Sequence, residues 1–298
     1  MHDQAQINPQ RTIRTSEYKK LLCPFCKSEK ITKWCKRKTK NGIKQRYKCN
    51  KCSKCFTRED GFFRMKKTKQ LITASLNLYF SGMSLRKVKE HILQFTPQGV
   101  SHMSVWRWLI KYSKMIRNFT EKLQPNVSGV FHADEIFINC KGEQNYFWDM
   151  VDKDTRFLVT THYSTKRNYQ SARRFFLKTK QKPLVLFTDR LAGYNKAYRR
   201  VWGANKRSQD KKVHIRLKAD KDKRNNIIER IQGTIRERVK VMRAFKATYS
   251  AEAILSLFVV WYNFIRVHQG INVTPAQRAG LDLKLKQNKW LSLIELSY

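Results

Sequence analysis

The chain has 298 residues, 41% of them hydrophobic, which suffices for a sizeable core in two or three domains. Its 63 basic residues outnumber 22 acidic residues and give a formal net charge of +41, spread along the whole chain. This charge favours nucleic acid over a membrane surface as partner. We find no signal region and no membrane-spanning apolar run, so we expect a cytoplasmic, chromosome-associated protein with reduced cysteines.

Residues 1–66 are predicted to form a zinc-ribbon DNA-binding domain behind a flexible, polar lead of about twenty residues. Two Cys-x-x-Cys pairs carry this prediction, and their four thiolates suit a tetrahedral zinc site: Cys23, Cys26, Cys49 and Cys52. The spacer between the pairs has the pattern of a hairpin that turns at Asn41-Gly42. Cys55 continues the spacing and could replace one ligand, whereas Cys35 is a spare.

Residues 67–125 are predicted to form a helix-turn-helix DNA-binding domain. Helices are expected over 71–80 and 84–93, with a tight turn and a new N-cap at 81–84, and over 105–116, where Ser101-His-Met-Ser104 opens the third helix. Arg107 and Lys111 lie one turn apart on the last helix and are candidate groove or phosphate contacts. The alternative is a plain helical linker.

Residues 126–298 have a different sequence pattern from the preceding segment and are predicted to form the catalytic domain with C-terminal helices. Three strands are expected over 130–139, 146–151 and 156–163, followed by a helix over 168–177 and a buried strand over 184–187. Asp134 interrupts the first strand, and Asp189 follows the last one, where open α/β sheets place ligands. A further helix runs to about Met242, with Glu229 near its start, and a basic stretch over 206–224 precedes it.

This order of elements is that of an RNase H-like core, an α/β fold with a mixed sheet flanked by helices. In that order Asp134, Asp189 and Glu229 can converge at one sheet edge. Three close carboxylates repel one another and should bind divalent cations, Mg²⁺ or Mn²⁺. Two such ions can clamp the attacking and leaving oxygens of a phosphodiester.

Other acids are weaker candidates. Strand alternation turns Glu135 away from Asp134. Glu237 lies two turns beyond Glu229 on the same helix, offset in angle. Asp149 and Asp152 are expected to cap turns, although Asp149 could support the site.

Short motifs spread over residues 67–282 resemble, in combination and order, those of DDE transposases of the insertion-sequence-six type. They are His132-Ala-Asp-Glu135, Tyr146-Phe-Trp-Asp149, Thr188-Asp-Arg190 with Tyr194, Asn225-Asn-Ile-Ile-Glu-Arg230, Arg243-Ala-Phe245, Tyr262-Asn-Phe-Ile-Arg-Val-His268 and Thr274-Pro-Ala276.

The resemblance implies that Asp134, Asp189 and Glu229 are the catalytic acids. It implies that Arg236 holds DNA near the reacting phosphate, and Arg190 is a further candidate DNA contact. It also implies a transposase that cuts at insertion-sequence ends, joins the freed 3′ ends to target DNA and acts as a homodimer or larger homo-oligomer. The 39 residues between Asp189 and Glu229 exceed the family's usual spacing, and the zinc ribbon is not universal in it.

Two other functions compete with this one. A non-catalytic regulator could use the ribbon and the helix-turn-helix to bind DNA, and metal-dependent cleavage would distinguish the transposase from it. A structure-specific nuclease would share the active site but would not join ends.

Overall fold

A computed structural model of the chain describes residues 21–39, 42–58, 60–203, 213–217 and 226–298. The predicted lead over 1–20, Asn41 of the predicted turn and most of the basic stretch over 206–224 lie outside the described residues.

The first described unit is a three-stranded antiparallel sheet in the order β1-β2-β3, formed by β1 (Ile31–Thr39), β2 (Gly42–Cys49) and β3 (Cys55–Thr57). The predicted hairpin is confirmed, with Ile31 opposite Cys49 in the β1–β2 register. Its small core consists of two of the cysteines and Phe56, with Tyr47 stacked on the Phe56 ring. So few apolar side chains give this unit little hydrophobic stabilisation of its own.

Three helices follow and agree with the predicted segments: α1 (Lys69–Phe80), α2 (Leu85–Phe95) and α3 (His102–Thr120). Each begins at a side-chain cap, because the hydroxyls of Thr68, Ser84 and Ser101 accept hydrogen bonds from backbone N–H groups of the first turns. The turn between α1 and α2 passes through Gly82, whose φ of +105° favours glycine.

A five-stranded mixed sheet forms the centre of the remaining chain. Its strands are β4 (Val130–Cys140), β5 (Glu143–Asp152), β6 (Leu158–Ser164), β7 (Val185–Thr188) and β8 (His214–Arg216), in the order β6-β5-β4-β7-β8. The first three strands, which the sequence predicts, form an antiparallel meander, β7 pairs in parallel with β4, and β8 pairs in parallel with β7. Together with the flanking helices, this topology confirms the predicted RNase H-like class.

Alternate residues of β4 face two different hydrophobic cores. Phe131 and Ala133 face one core, which contains α4 (Tyr169–Leu177) and α5 (Ala192–Trp202). Ile136 and Ile138 face the other, which contains α6 (Asn226–Met242) and α7 (Thr248–Val260). Since β4 is covered on both faces, its polar residues must find partners within the protein or at a sheet edge.

The second core extends well beyond the sheet. Helices α1, α2 and α3 belong to the same hydrophobic cluster as α6 and α7. Residues near the C-terminus join it too, in α8 (Pro275–Arg278) and α9 (Lys289–Ser297), and α9 packs on α1 and α3. The segments predicted as separate domains over 67–125 and 126–298 therefore share one core.

Helix α7 ends in a π-helical turn over Trp261–Ile265, and Arg266 is already extended. Arg266 and His268 therefore lie beyond the end of this helix. Asn263 lies inside this turn and ties it to the sheet: its side chain accepts a hydrogen bond from the Leu158 N–H and donates one to the Leu158 carbonyl. No helix within the described residues is long and apolar enough to cross a membrane.

Candidate active site at the open edge of strand β4

The site begins where strand β7 stops. β7 pairs with β4 only over Val130 to His132, and within the described residues the next backbone pairing on this side of β4 is the bridge from Cys140 to Phe245. Asp134 and Glu135 lie in the part of β4 that β7 does not reach, and Asp189 follows β7 directly. The parallel register places the chain after β7 beside Asp134, so the fold brings together two acids that are 55 positions apart in sequence.

Carboxylate oxygens of Asp134, Glu135 and Asp189 lie within 4.8 Å of one another. The predicted convergence of Asp134 with Asp189 is thus present. The prediction that Glu135 points away from the site was wrong. Alternation does send the Glu135 side chain toward α5, but β7 has ended there, so side chains from both faces of β4 reach the same open edge.

Arg167, just before α4, bridges two of these acids. Its guanidinium forms an ion pair with Glu135 and a second one with Asp189 at 3.2 Å. The Tyr194 hydroxyl of α5 donates a hydrogen bond to the other Glu135 oxygen. Sequence reasoning missed Arg167, because nothing in its local pattern distinguishes it from the many surface cations of this chain.

Crowding and burial weaken these acids. Burial raises the pKa of Asp134 to about 6, and the nearby Asp189 carboxylate adds to the effect. Burial likewise raises the pKa of Glu135 to about 7, with the charges of Asp134 and Asp189 contributing. A divalent cation would relieve both the repulsion and the lost hydration, so the donor set fits a hard cation that binds oxygen.

On the α6 face, Asp134 is opposite Asp149 of β5 in the antiparallel register. Asp149 is fully buried within β5, so the prediction that it caps a turn was wrong, whereas Asp152 does accept the Thr155 N–H at 2.9 Å. Burial, followed by the charge of Asp134, raises the pKa of Asp149 well above its usual value. Burial therefore disfavours the charged form of Asp149 behind the cluster.

Gln232 of α6 lies beside this pair. Its side chain lowers the pKa of both Asp134 and Asp149, although burial dominates each shift. The Gln232 amide oxygen accepts a hydrogen bond from the Arg236 guanidinium at 3.1 Å. The Gln232 amide nitrogen is buried and has no hydrogen-bond partner within the described residues. Arg236, predicted to hold DNA, thus contacts Gln232 in this structure.

Glu229 lies in the first turn of α6, and its side chain is exposed. It is three residues before Gln232 and therefore on the same face of the helix, one turn nearer the N-terminus. The carboxylate cluster within the described residues contains Glu135 in its place. The predicted convergence of Glu229 with the two aspartates is not seen at this 4.8 Å spacing.

The four predicted zinc ligands also lie together, at the end of the first sheet. Sulfur atoms of Cys23, Cys26, Cys49 and Cys52 are within 4.8 Å of one another. A hydrogen bond from the Cys52 backbone N–H is the largest influence that lowers the pKa of Cys49 to about 6. Four convergent thiols with such backbone donors suit a tetrahedral metal site. Cys55, the suggested substitute, is outside the cluster.

The remaining predicted DNA contacts are scattered. Arg107 and Lys111 are exposed one turn apart on α3, and the Lys111 ammonium lies 5.5 Å from the Tyr112 ring centroid. Arg190 is exposed next to Asp189, and its carbonyl accepts a hydrogen bond from Arg216. The structure thus leaves all three side chains on the surface, where contact with DNA is possible.

Fold and site together define an RNase H-like domain with a carboxylate cluster suited to divalent cations. Comparison with known families goes further: residues 128–268 match the family model of the DDE domain of IS240-type transposases. This match to a DDE domain agrees with the resemblance to DDE transposases.

The relatives are similar in sequence to limited parts of the chain. An uncharacterized 48.3 kDa protein of insertion element ISM1 from Methanobrevibacter smithii is 26% identical, over 59% of this chain and 47% of that protein. The transposase for insertion sequence element IS257 in transposon Tn4003 from Staphylococcus aureus is 27% identical, over 50% of this chain and 68% of the transposase. The chain thus spans about half the length of the first of these relatives.

Among solved structures, the HTLV-2 integrase catalytic core domain in complex with magnesium is 16% identical, with a TM-score of 0.40. The match covers 53% of this chain and 98% of that domain.

Proposed function

We propose that this protein is a transposase that binds insertion-sequence ends, cleaves DNA phosphodiesters and joins the 3′ ends to target DNA. The observation that carries the proposal is the meeting of Asp134 and Asp189 at an open sheet edge within a DDE domain. The net charge of +41 supplies the attraction to a polyanionic substrate.

The catalytic acids we propose are Asp134, Asp189 and Glu229. The two aspartates would hold Mg²⁺ or Mn²⁺, with Glu229 as the third ligand and Glu135 as a neighbour held by Arg167. The bound cations would supply positive charge for the attacking and leaving oxygens of the phosphodiester. Glu229 lies on the same face of α6 as Gln232, and Gln232 is beside Asp134. This position supports the assignment of Glu229 as the third acid.

The protein's own side chains would orient the cluster. Arg167 fixes Asp189 and Glu135 relative to each other, and Tyr194 holds the second oxygen of Glu135. Gln232 lies on the other side of β4, beside Asp134. Groups held in place this way need not reorganise when DNA arrives, which favours reaction at a fixed phosphate position.

We also propose the accessory assignments. Cys23, Cys26, Cys49 and Cys52 would hold a structural zinc ion, and Arg107, Lys111, Arg190 and Arg236 would contact DNA. Two element ends must be handled together, so we propose that the active form is a homodimer or a larger homo-oligomer acting on the chromosome in the cytoplasm.

A strand-transfer assay tests the proposed function. Purified protein, Mg²⁺ or Mn²⁺ and labelled DNA carrying the ends of its own element should give cleaved and joined products. Asp134→Asn, Asp189→Asn and Glu229→Gln should each abolish both products. Tight DNA binding without cleavage by the wild-type protein would instead favour a DNA-binding regulator, and cleavage without joining a nuclease.

The choice between the two glutamates is tested in the same assay. Glu135→Gln keeps the size of the side chain and should retain measurable cleavage, because Glu135 is already engaged by Arg167 and Tyr194. If Glu135→Gln abolishes cleavage while Glu229→Gln does not, the third acid is Glu135.

A further inference from the structure

A cavity of about 410 Å³ lies on the outer side of α4 and α5, and three of its five lining residues are arginines. They are Arg173 and Arg174 of α4 and Arg200 of α5, and all three are exposed. Tyr169 and Gln170 complete the lining.

Within the described part of the chain, these three arginines have no acidic partner. The sequence explains this, because Asp189 is the single acid between residues 166 and 203, a stretch rich in lysine and arginine. Asp189 is already paired with Arg167. Unpaired guanidinium groups around one cavity repel one another, and an anion among them would remove that repulsion.

The cavity is built by a close approach of two helices. Gly193, near the start of α5, lies so near α4 that a Cβ atom there would be 3.3 Å from the Tyr169 backbone nitrogen. The Lys196 ammonium lies 4.7 Å from the centroid of the Tyr169 ring, so a fourth cation contacts a residue that lines the cavity. The cations of both helices therefore face one space, which suits the forked, bidentate recognition of phosphate oxygens.

The position of the cavity relative to the site indicates which DNA it meets. Arg167, which bridges the acidic cluster, is two residues before Tyr169. Helices α1, α2 and α3 pack on the α6 face of the sheet, whereas α4 and α5 cover the opposite face. DNA bound on the α1–α3 side would first cross the open edge of β4, where the scissile phosphate would lie. It would reach the arginines only beyond that phosphate.

We propose that Arg173, Arg174 and Arg200 bind the phosphodiester backbone of the target duplex next to the carboxylate cluster. This inference rests on the proposed transposase function, since it assigns a subsite for the second DNA substrate of that reaction. Recognition is through phosphate charge and geometry, so it does not depend on base sequence.

The test compares Arg173→Ala/Arg200→Ala with the control Arg278→Ala/Lys286→Ala. The control removes two exposed positive charges near α8, whose core residues belong to the α6 side of the sheet. Joining of a pre-cut element end is measured against rising concentrations of a duplex without element ends. We expect the test variant to need about tenfold more target duplex for half-maximal joining, while end cleavage and the control stay near wild type.

A second measurement does not require catalysis. For the duplex without ends, the logarithm of affinity is plotted against the logarithm of salt concentration. In the test variant, but not in the control, the slope should become shallower by about one for each phosphate contact removed. If wild type neither cleaves nor joins, the proposed function fails, but this slope still decides the subsite.

Three results would overturn the subsite. Joining and end cleavage could fall together, the control could show the same loss, or the slope could stay unchanged. Titration with inorganic phosphate tests whether the cavity binds free phosphate instead of the phosphates of the DNA backbone. Saturable phosphate binding that is lost in the test variant, with an unchanged duplex slope, would assign the cavity to a free anion.

Discussion

Replacing Asp134 by asparagine should abolish cleavage and, in the absence of divalent metal, stabilise the protein. The substitution keeps the shape of the side chain but removes a charge that the fold holds in an unfavourable place. Burial is the largest cause of the raised pKa of Asp134, and the carboxylate of Asp189 raises it further. Asparagine cannot ionise, so it avoids both costs.

The size of the effect follows from the pKa shift. The pKa of Asp134 rises from 3.8 to about 6 on folding. Each pKa unit corresponds to about 1.4 kcal/mol, so the ionised form costs at most about 3 kcal/mol of folding free energy. Because the folded-state pKa is raised, this cost is fully present above about pH 6 and disappears below about pH 4, where the residue is neutral in both folded and unfolded states.

The assay is thermal unfolding of wild type and Asp134→Asn in chelator across this pH range. The variant should melt higher at about pH 8, by about 2 °C per kcal/mol gained, and the two proteins should converge toward about pH 4. Added Mg²⁺ should raise the melting temperature of wild type more than that of the variant. A variant that is less stable at about pH 8, or a difference that does not change with pH, would refute the reasoning.

Three further predictions concern other parts of the chain. Cys49→Ser should lower the zinc content measured on the purified protein and unfold the first sheet, while Cys35→Ser, outside the thiol cluster, keeps full zinc content. Asn263→Ala should cost about 2–3 kcal/mol in urea unfolding because two buried backbone groups of β6 lose their partner, and an unchanged midpoint would contradict this. Gln232→Leu should raise the Mg²⁺ concentration needed for half-maximal cleavage, whereas an unaltered metal dependence would show that Gln232 does not orient Asp134.

Much of this protein is readable from local patterns. The strand around Asp134 was predicted because β-branched and aromatic residues surround it, and Asp189 because a short apolar strand ends just before it. The cysteine spacing predicted four thiols that the structure brings within 4.8 Å. These features depend on neighbours within a few residues, so the sequence alone determined them.

Other features depend on where an element ends in space. Glu135 joins the cluster only because β7 stops beside His132, and no pattern within β4 signals that length. Arg167, far along the chain, then becomes its counter-ion. The shared core of α1, α3 and α9 likewise joins segments from opposite ends of the chain. Only the tertiary structure decided these contacts, because they follow from how separated apolar faces pack together, which no local spacing encodes.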